Sequence, residues 1–557
     1  MAQTISLPAA VFLLIVYLIF RFVFHHFRRN KQESFWSSHP ILGLDGGPFS
    51  LIRATLKSVQ LTRKRIFDGY SKYSKVNSFF VVPTLDRGRI LVVPPRQVKK
   101  LYSLPENVLD VTATGNESIQ TKWTIGDEDV YANPLHMHVV RNQITKNLDI
   151  LTPIIASELE QGFVREWGTS KTEWKSISVW GSCLDIVAGA ANAAFCGTPL
   201  CQDMEFLKRL QSHATCLFLG AVFINATPKP LRFVTGYTVS WTSHFLFKRV
   251  LKVCLPYVKD RLYHIAMLKA SPGYVWTPPK DGLQWLIDEC YATGDSAQLD
   301  PKRIAHRLCF MNDISMHSTG YTARNVIIDL ANADPSLGYL DALREEAGRV
   351  LKEANGTWTR QAVLKLKLID STVRESMRMT TFFSVGLPRT VVDPHGVSVG
   401  HGDSTFTVPK GTTLALPVEA IHYDEDIYPD AKTFNPYRFT DKSMIRDIVD
   451  ETASKTHDGK AQEHGSKPDS AKPPKASATI DDSFLSFGFG KHACPGRFFA
   501  LNEVKVMVAH MVLNYDIQLL RRSDRNKPKN MPVIWLNVPP LMETKIRVRR
   551  RTPLEAM

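Results

Sequence analysis

The chain of 557 residues contains few cysteines, no internal repeat and no zinc-type cysteine spacing. Its eight cysteines include no C-x-x-C pair, which excludes a disulfide-stabilised secreted scaffold and a zinc ribbon. Charged residues make up only 22% of the chain and apolar residues 44%, and this excludes wholesale disorder and predicts a sizeable buried core. The low use of cysteine favours a reduced, cytosol-facing protein.

Acidic residues are also in the minority. There are 69 lysines and arginines against 54 acidic residues, a formal net charge of +15. Such an excess is compatible with nucleic acid, an anionic membrane surface or an acidic protein partner. No clustered basic and aromatic module accompanies the charge, and the sequence therefore disfavours nucleic-acid binding.

One long apolar run lies at the N-terminus. Residues 5–24 have only Ser6 and Arg21 as polar interruptions, and a helix of about 20 residues spans the roughly 30 Å hydrocarbon core of a bilayer. Basic residues follow at Arg28 and Arg29, so the positive-inside rule places the rest of the chain in the cytosol. The sequence predicts a single-pass signal anchor over residues 1–28, in the endoplasmic reticulum membrane, and a Pro/Gly hinge over residues 29–50.

The body of the chain predicts one large domain. Residues 51–557 contain no Gly/Pro/Ser linker that would divide them, helical patterns dominate from about residue 140 to 380, and short strand-like segments flank that stretch. The predicted fold is mainly α with small β-sheets, in a single catalytic domain. Residues 441–482 are rich in Lys, Asp, Ser, Ala and Pro and predict a disordered insertion.

The sharpest local pattern surrounds Cys494, in the sequence FGFGKHACPG over residues 487–496. Its glycines permit a tight turn and a close approach of the backbone to a flat group, and Pro495 favours a helix start. A sulfur at the positive end of a helix is stabilised as thiolate, the form that ligates haem iron. Lone cysteines are more often small buried hydrophobes, and G-x-G-x-x-A also matches a loose dinucleotide fingerprint. The complete F-x-x-G-x-x-x-C-x-G pattern is more specific than either alternative.

With this loop the chain resembles the cytochrome P-450 family, the haem-thiolate monooxygenases. Two further motifs stand in the order that the family requires: Glu375-x-x-Arg378 on a predicted helix, and an aromatic-x-Pro-x-Arg element that ends at Arg438. The resemblance implies the α-rich fold of that family, with Cys494 as the axial ligand of haem b (iron protoporphyrin IX). It also implies that Glu375, Arg378 and Arg438 form a buried charged network that holds the loop.

The resemblance also assigns residues around the cofactor. Arg141, Arg389 and His492 are expected to contact the haem propionates, and Phe487, Gly490 and Gly496 to line the haem. The helix that activates oxygen departs from the family pattern, because its catalytic candidates read His317-Ser318-Thr319. Ser318 keeps a hydroxyl where the family usually has threonine, and His317 replaces a carboxylate, so both are expected to relay protons. The plainer alternative is that these side chains only satisfy buried backbone groups.

The expected activity is that of an oxidoreductase acting on paired donors with incorporation of molecular oxygen. It would hydroxylate or further oxidise a lipophilic small molecule, because the predicted pocket segments are apolar. Electrons would come from NADPH through an acidic reductase flavoprotein, with Lys491 and Arg497 as docking candidates. The motif variants resemble filamentous-fungal members that act on terpenoids and meroterpenoids in secondary metabolism. Two alternatives stay open: a haem-thiolate isomerase or dehydratase without external electrons, and a membrane-tethered haem sensor.

Overall fold

The computed structural model describes residues 30–400, 405–441, 475–520, 530–540 and 544–552. The predicted signal anchor over residues 1–28 lies outside the described residues, as does most of the predicted insertion. Within the described ranges, no helix combines the length and the apolar character that a membrane crossing requires.

Helices account for most of the described residues. They are α1 (Asn30–Ser37), α2 (Ser50–Leu56), α3 (Ser58–Lys72), α4 (Val98–Tyr102), α5 (Thr112–Ile119), α6 (Thr121–Thr124), α7 (Glu128–Ala132), α8 (Leu135–His138), α9 (Leu148–Trp167), α10 (Val179–Phe195), α11 (Met204–Asn225), α12 (Arg232–Ala270), α13 (Gly282–Ala292), α14 (Pro301–Asn332), α15 (Tyr339–Glu353), α16 (Arg360–Lys365), α17 (Lys367–Met379), α18 (Val418–His422) and α19 (Arg497–Asn514). A π-helical turn, Val139–Ile144, follows α8.

The strands are short. They are β1 (Phe80–Thr84), β2 (Gly88–Val92), β3 (Leu109–Asp110), β4 (Lys175–Ser178), β5 (Gly386–Val391), β6 (Val397–Val399), β7 (Phe406–Val408), β8 (Thr413–Leu416), β9 (Tyr515–Leu519), β10 (Met531–Val533), β11 (Leu536–Val538) and β12 (Lys545–Arg550). The predicted architecture, mainly α with small sheets, is confirmed.

The described residues divide into two compact units. The smaller unit contains the described residues up to Thr114 together with Val385–Pro417, and the larger contains Gly115–Ser384 with the described residues from Val418 onward. The smaller unit is built on a five-stranded sheet of order β1-β2-β8-β5-β3. In it β2 and β8 are parallel, and the other neighbours are antiparallel.

The predicted hinge over residues 29–50 is structured in its described part. Residues 30–37 form α1, Val81 N donates to Pro40 O at 2.9 Å, and Leu42 N donates to Val81 O at 2.9 Å. These hydrogen bonds attach residues 40–42 to the edge of β1, and backbone pairing of this kind overrides the local preference of Pro and Gly for a bend.

The larger unit is organised around α14. This helix of 32 residues packs against α10, α11, α12, α17 and α19, and it is buried on nearly all sides. Its first turn is favoured by Pro301 and by Asp300, whose side chain accepts a hydrogen bond from Lys302 N at 3.2 Å. A three-stranded antiparallel sheet, β4-β12-β9, lies in the same unit.

Candidate active site

The loop before α19 turns tightly around Cys494. Gly488 and Gly490 have φ angles of 82° and 67°, in the left-handed region that L side chains avoid. Cys494 N donates to Phe487 O at 2.8 Å, which closes the loop across these glycines. The two glycines are therefore explained by the tight turn that the sequence predicted for this loop. The helix itself starts at Arg497 with Gly496 as its N-cap, so Cys494 lies just outside the helix rather than at its first residue.

The Cys494 sulfur faces open space on one side and backbone N–H groups on the other. The residue is exposed, while the N–H groups of Gly496 and Arg497 donate to the sulfur and lower the thiol pKa. Desolvation by the surrounding protein is the larger effect, and the pKa of the free thiol is raised overall. A cation at the exposed face would reverse this balance, because it stabilises the thiolate directly.

The surroundings of the sulfur fit a haem. A Cβ atom built on Gly496 would lie 3.9 Å from Cys494 Sγ and 3.6 Å from Val140 Cγ1, so glycine leaves this flank of the sulfur bare. The φ of Gly496 is −80°, so glycine is not required there for its backbone conformation, and its effect is to leave the space beside the sulfur free. A bare backbone beside an exposed sulfur suits the close approach of a macrocycle.

The predicted propionate ligands lie on three different elements. Arg141 lies in the π-helical turn and is exposed, one residue after Val140, which contacts the Cys494 loop. His492 is half-buried in a 3₁₀ turn over Gly490–His492. Arg389 lies on β5 in the smaller unit, where its guanidinium stands 5.2 Å above the Tyr102 ring and burial lowers its pKa. The assignment of these three residues to propionates stays a prediction.

The predicted charged network is present and buried. Arg378 donates to Glu375 at 2.7 Å and 2.9 Å, and Arg438 Nε donates to the same carboxylate at 3.0 Å and 3.1 Å. Asn435 N supplies one more hydrogen bond at 3.1 Å. Two guanidinium groups and an amide thus compensate a carboxylate that has no exposure, as a buried charge requires.

His422, which the sequence interpretation missed, connects this network to the cysteine loop. Its Nδ1 lies 3.1 Å from Arg378 O, and its Nε2 accepts from Leu485 N at 2.9 Å. Burial, with the nearby Arg378 charge, lowers its pKa to about 3, so the ring is neutral and carries its proton on Nδ1. The ring also stacks on Phe484 at 5.4 Å. No local pattern marks His422, because its partners are remote in sequence.

Arg374 is a second residue that the sequence interpretation missed. Its guanidinium stands 3.8 Å above the Phe484 ring and donates to the carbonyl oxygens of Ala476 and Thr479 at 2.8 Å each. It is fully buried. Arg374 therefore holds the chain that leads into the cysteine loop, one residue before the conspicuous Glu375.

The end of the predicted disordered insertion is ordered. Ser477 is buried and donates to Asp370 at 2.7 Å from its backbone and at 2.6 Å from its hydroxyl. Phe439 N, on the other side of the insertion, donates to Ser371 Oγ at 3.0 Å. The polar side chain of Ser477 is therefore explained by its hydrogen bonds to α17 rather than by solvation.

The three catalytic candidates on α14 have different environments. His317 Nε2 lies 3.2 Å from Thr215 Oγ1, and its ring packs against Phe218 and Trp180. Burial lowers its pKa to about 4, so His317 is neutral near pH 7. Ser318 donates back into its own helix, to Ile314 O at 2.9 Å.

Thr319 is the candidate with an unused hydroxyl. It is 2% exposed, and Thr319 Oγ1 and His317 Nδ1 are buried polar atoms with no hydrogen-bond partner among the described residues. Buried polar atoms are normally satisfied, so each of these two unpartnered atoms indicates that water or a ligand supplies its partner. The two residues are two positions apart on the helix, so their side chains do not face each other.

Comparisons with known proteins agree with this geometry. A family model described as Cytochrome P450 matches residues 278–545, which include α14, the Glu375 network and the cysteine loop. Cytochrome P450 monooxygenase okaG of Penicillium ochrochloron is 41% identical over 514 residues, or 92% of this chain and 94% of the relative. Cytochrome P450 monooxygenase gloP of Glarea lozoyensis is 31% identical over 557 residues, or 99% and 97%. Cytochrome P450 monooxygenase htyF of Aspergillus rugulosus is 32% identical over 526 residues, or 93% and 74%.

Proposed function

The chain belongs to the cytochrome P450 family, and from that premise we propose that it oxidises a lipophilic small molecule by inserting one atom of dioxygen. The substrate class that we propose is a terpenoid or meroterpenoid of fungal secondary metabolism. Cys494 carries the proposal: the residue is exposed, two backbone N–H groups donate to its sulfur, and Gly496 leaves the space beside the sulfur free. A bound haem supplies the chemistry that reduces dioxygen and oxidises an unactivated C–H bond.

The residues of this chain would hold the cofactor and manage protons. Cys494 would ligate the iron as thiolate, with the N–H groups of Gly496 and Arg497 fixing the sulfur. Arg141, Arg389 and His492 would pair with the propionates, and Phe487 and Gly490 would line the ring. Insertion of one oxygen atom and release of the other as water consume two electrons and two protons, and Thr319, Ser318 and an ordered water would deliver those protons.

The electrons would come from NADPH through a flavoprotein reductase. Lys491 is exposed next to the cysteine loop, which suits the docking of an acidic partner. Arg497 is half-buried and donates to Cys494 O at 2.9 Å, so its main role would be to hold the loop. Of the two candidates for reductase docking, Lys491 is therefore better placed.

Membrane attachment forms part of the proposal, with the catalytic body on the cytosolic side of the endoplasmic reticulum. Besides the apolar run over residues 5–24, α12 exposes large apolar side chains at four-residue intervals: Phe233, Tyr237, Trp241 and Phe245. Residues at this spacing share one face of a helix, and an exposed apolar face with aromatic residues suits a bilayer interface. This face would bring the body close to a lipophilic substrate.

The test combines a spectrum with a labelled product. Reduced protein under carbon monoxide should give the strongly red-shifted Soret band of a thiolate-ligated haem, and Cys494→Ser should lose it. Membranes that carry the protein should convert a terpenoid substrate only when NADPH and reductase are present, and under ¹⁸O₂ the product should contain one labelled atom per oxidation. Absence of the band from pigmented, freshly prepared protein would overturn the proposal.

The same experiment separates an alternative that the α14 geometry favours. Because Ser318 is bonded to its own helix and His317 is neutral, an isomerase or dehydratase without external electrons is the second candidate. It would form unlabelled product without NADPH. Ligand-induced spectral shifts with no product under any condition would instead indicate a haem sensor.

A further inference from the structure

A second cluster of metal-binding side chains lies in the larger unit, outside the cysteine loop. It consists of His213 on α11 and of Cys309 and Asp313 on α14, all of them buried. His213 Nδ1 lies 2.9 Å from Asp313 Oδ2 and 3.3 Å from Cys309 Sγ, and the sulfur lies 4.0 Å from each carboxylate oxygen. Three potential ligand atoms therefore converge on one small volume.

The helices create this convergence. Cys309 and Asp313 are four residues apart and share one face of α14, and α11 packs on that face. His213 is about a hundred positions away in sequence, so no spacing pattern reveals the cluster. Imidazole, thiolate and carboxylate are the ligand types that Zn²⁺ prefers, and bonds of about 2.0–2.3 Å place tetrahedral ligands about 3.3–3.6 Å apart. The observed separations need shifts of only a few tenths of an ångström.

We propose that His213, Cys309 and Asp313 bind one Zn²⁺ ion that ties α11 to α14, at a site distinct from the haem. With three protein ligands, a water molecule would complete the tetrahedron.

The opposite edge of the imidazole supports this assignment. His213 Nε2 lies 3.3 Å from Ser243 Oγ, so the ring can donate its Nε2 proton to Ser243 while Nδ1 stays free for a metal. Metal-binding histidines generally donate their second nitrogen in this way, which fixes the tautomer. The hydroxyl of Ser243 in turn donates to Thr124 O at 2.6 Å, and this bond leaves the oxygen lone pairs available to accept from His213.

A simple hydrogen-bonded cluster is the competing explanation. A neutral His213 would have one proton to place on Nδ1, and both the carboxylate and the sulfur lie within reach of that atom. That single proton cannot compensate both of these buried groups. A divalent cation would compensate both the carboxylate and a thiolate, at a place where an unpaired buried charge is strongly destabilising.

The test measures zinc in the holoenzyme. Protein produced in zinc-supplemented medium and purified without chelators should contain about one zinc per haem iron by elemental analysis. The zinc K-edge absorption spectrum, which haem iron does not obscure, should show one sulfur at about 2.3 Å together with nitrogen and oxygen ligands. Cys309→Ala and Asp313→Asn should each lower the zinc content at least tenfold, while Cys290→Ala, which removes another buried cysteine, should leave it unchanged.

Two outcomes would overturn the site. One is a wild-type protein with its full carbon monoxide band but less than about a tenth of a zinc per haem. The other is a zinc spectrum without sulfur, a result that does not depend on any variant folding. These outcomes are distinguishable from a failure of the proposed function. Protein that contains zinc but has no catalytic activity would contradict only the proposed function. Protein that is active but contains no zinc would contradict only the zinc site.

Discussion

The two hydroxyl residues on α14 that we propose for proton delivery differ in their hydrogen bonds. Ser318 and Thr319 both carry hydroxyls, but Ser318 donates to Ile314 O at 2.9 Å, whereas Thr319 Oγ1 has no partner within the described ranges. A free hydroxyl can bind water, and a hydroxyl that donates to its own helix can still accept. The two residues are therefore separable by their effects on coupling.

We expect Thr319→Ala, and Ser318→Ala to a smaller extent, to divert electrons into hydrogen peroxide. Removing one general acid–base group typically costs about 10²–10⁴-fold in the assisted step, so product per NADPH should fall while NADPH consumption persists. Peroxide and product measured per NADPH test this, with Thr319→Ser as the control that keeps the hydroxyl. Unchanged coupling in both alanine variants would remove the assignment.

Glu503, on α19, is a second single residue with a measurable effect. It is fully buried, and neither carboxylate oxygen has a partner among the residues described. Burial raises its pKa well above the usual range, so the folded state keeps it protonated while the unfolded state ionises it. Folding stability therefore falls as pH rises above about 4.3, the ordinary pKa of glutamate.

The variant Glu503→Gln should consequently be more stable than wild type at pH 7.5. The amide cannot ionise, so it avoids the cost of keeping the carboxyl protonated in the folded state, about 1.4 kcal/mol for each pH unit between the ordinary pKa and the raised one. Denaturant unfolding should show that Glu503→Gln raises the free energy of unfolding at pH 7.5 and raises it less at pH 5. The exposed Glu160→Gln is the control. Equal stability at both pH values would contradict the argument.

The elements around the cysteine loop depend on one another through His422. This residue ends α18, and its ring links α17 to the chain at Leu485 through two hydrogen bonds. The position of the cysteine loop is thus fixed by His422, at the end of a helix that is remote from the loop in sequence.

The variant His422→Phe should weaken the hold on haem without removing Cys494. It preserves the stacking on Phe484 but leaves Arg378 O and Leu485 N unsatisfied, at about 1–3 kcal/mol each. We expect faster haem loss and partial conversion of the carbon monoxide band to the form without thiolate ligation. His510→Phe, at another buried histidine, serves as the matched control and should keep the band.

The elements also show what local sequence could predict. Cys494, Glu375, Arg378 and Arg438 stand in short patterns, and the structure brings the last three together as expected. His422, Arg374 and the His213 cluster escaped prediction, because each acts through partners far away in the chain and no spacing marks them. The same holds for Ser477, whose polar neighbours predicted disorder although it is bonded to α17.

At the scale of the molecule, buried histidines make the fold sensitive to acid. Burial lowers the pKa of His136, His306, His422 and His510 to about 3 and that of His317 to about 4. Each is neutral when folded but takes up a proton when unfolded, below an ordinary pKa of about 6.5. Their contribution to stability is therefore complete above pH 6.5 and is lost as the pH falls toward 4 and 3.

We expect the free energy of unfolding to drop steeply between pH 6.5 and pH 4. At pH values between its lowered pKa and the ordinary one, each histidine changes the free energy of unfolding by about 1.4 kcal/mol per pH unit. Several histidines together therefore outweigh the opposite pH dependence that Glu503 gives. Urea unfolding at a series of pH values from 7.5 to 4.5 measures how the free energy of unfolding changes with pH. His510→Phe should lower the number of protons taken up on unfolding by about one. A flat profile would show that these histidines are not buried as neutral groups.

The hydrogen bonds that hold Phe439 and Ser477 to α17 have a practical consequence for redesign of the protein. Phe439 and Ser477 are hydrogen-bonded to the adjacent residues Ser371 and Asp370, so these two points of the chain are held side by side on α17. Chain ends held side by side can be joined by segments of different length at small entropic cost, about 0.6 kcal/mol per doubling. A short glycine-serine link between Asp441 and Lys475 should therefore keep both hydrogen bonds and leave the haem in place.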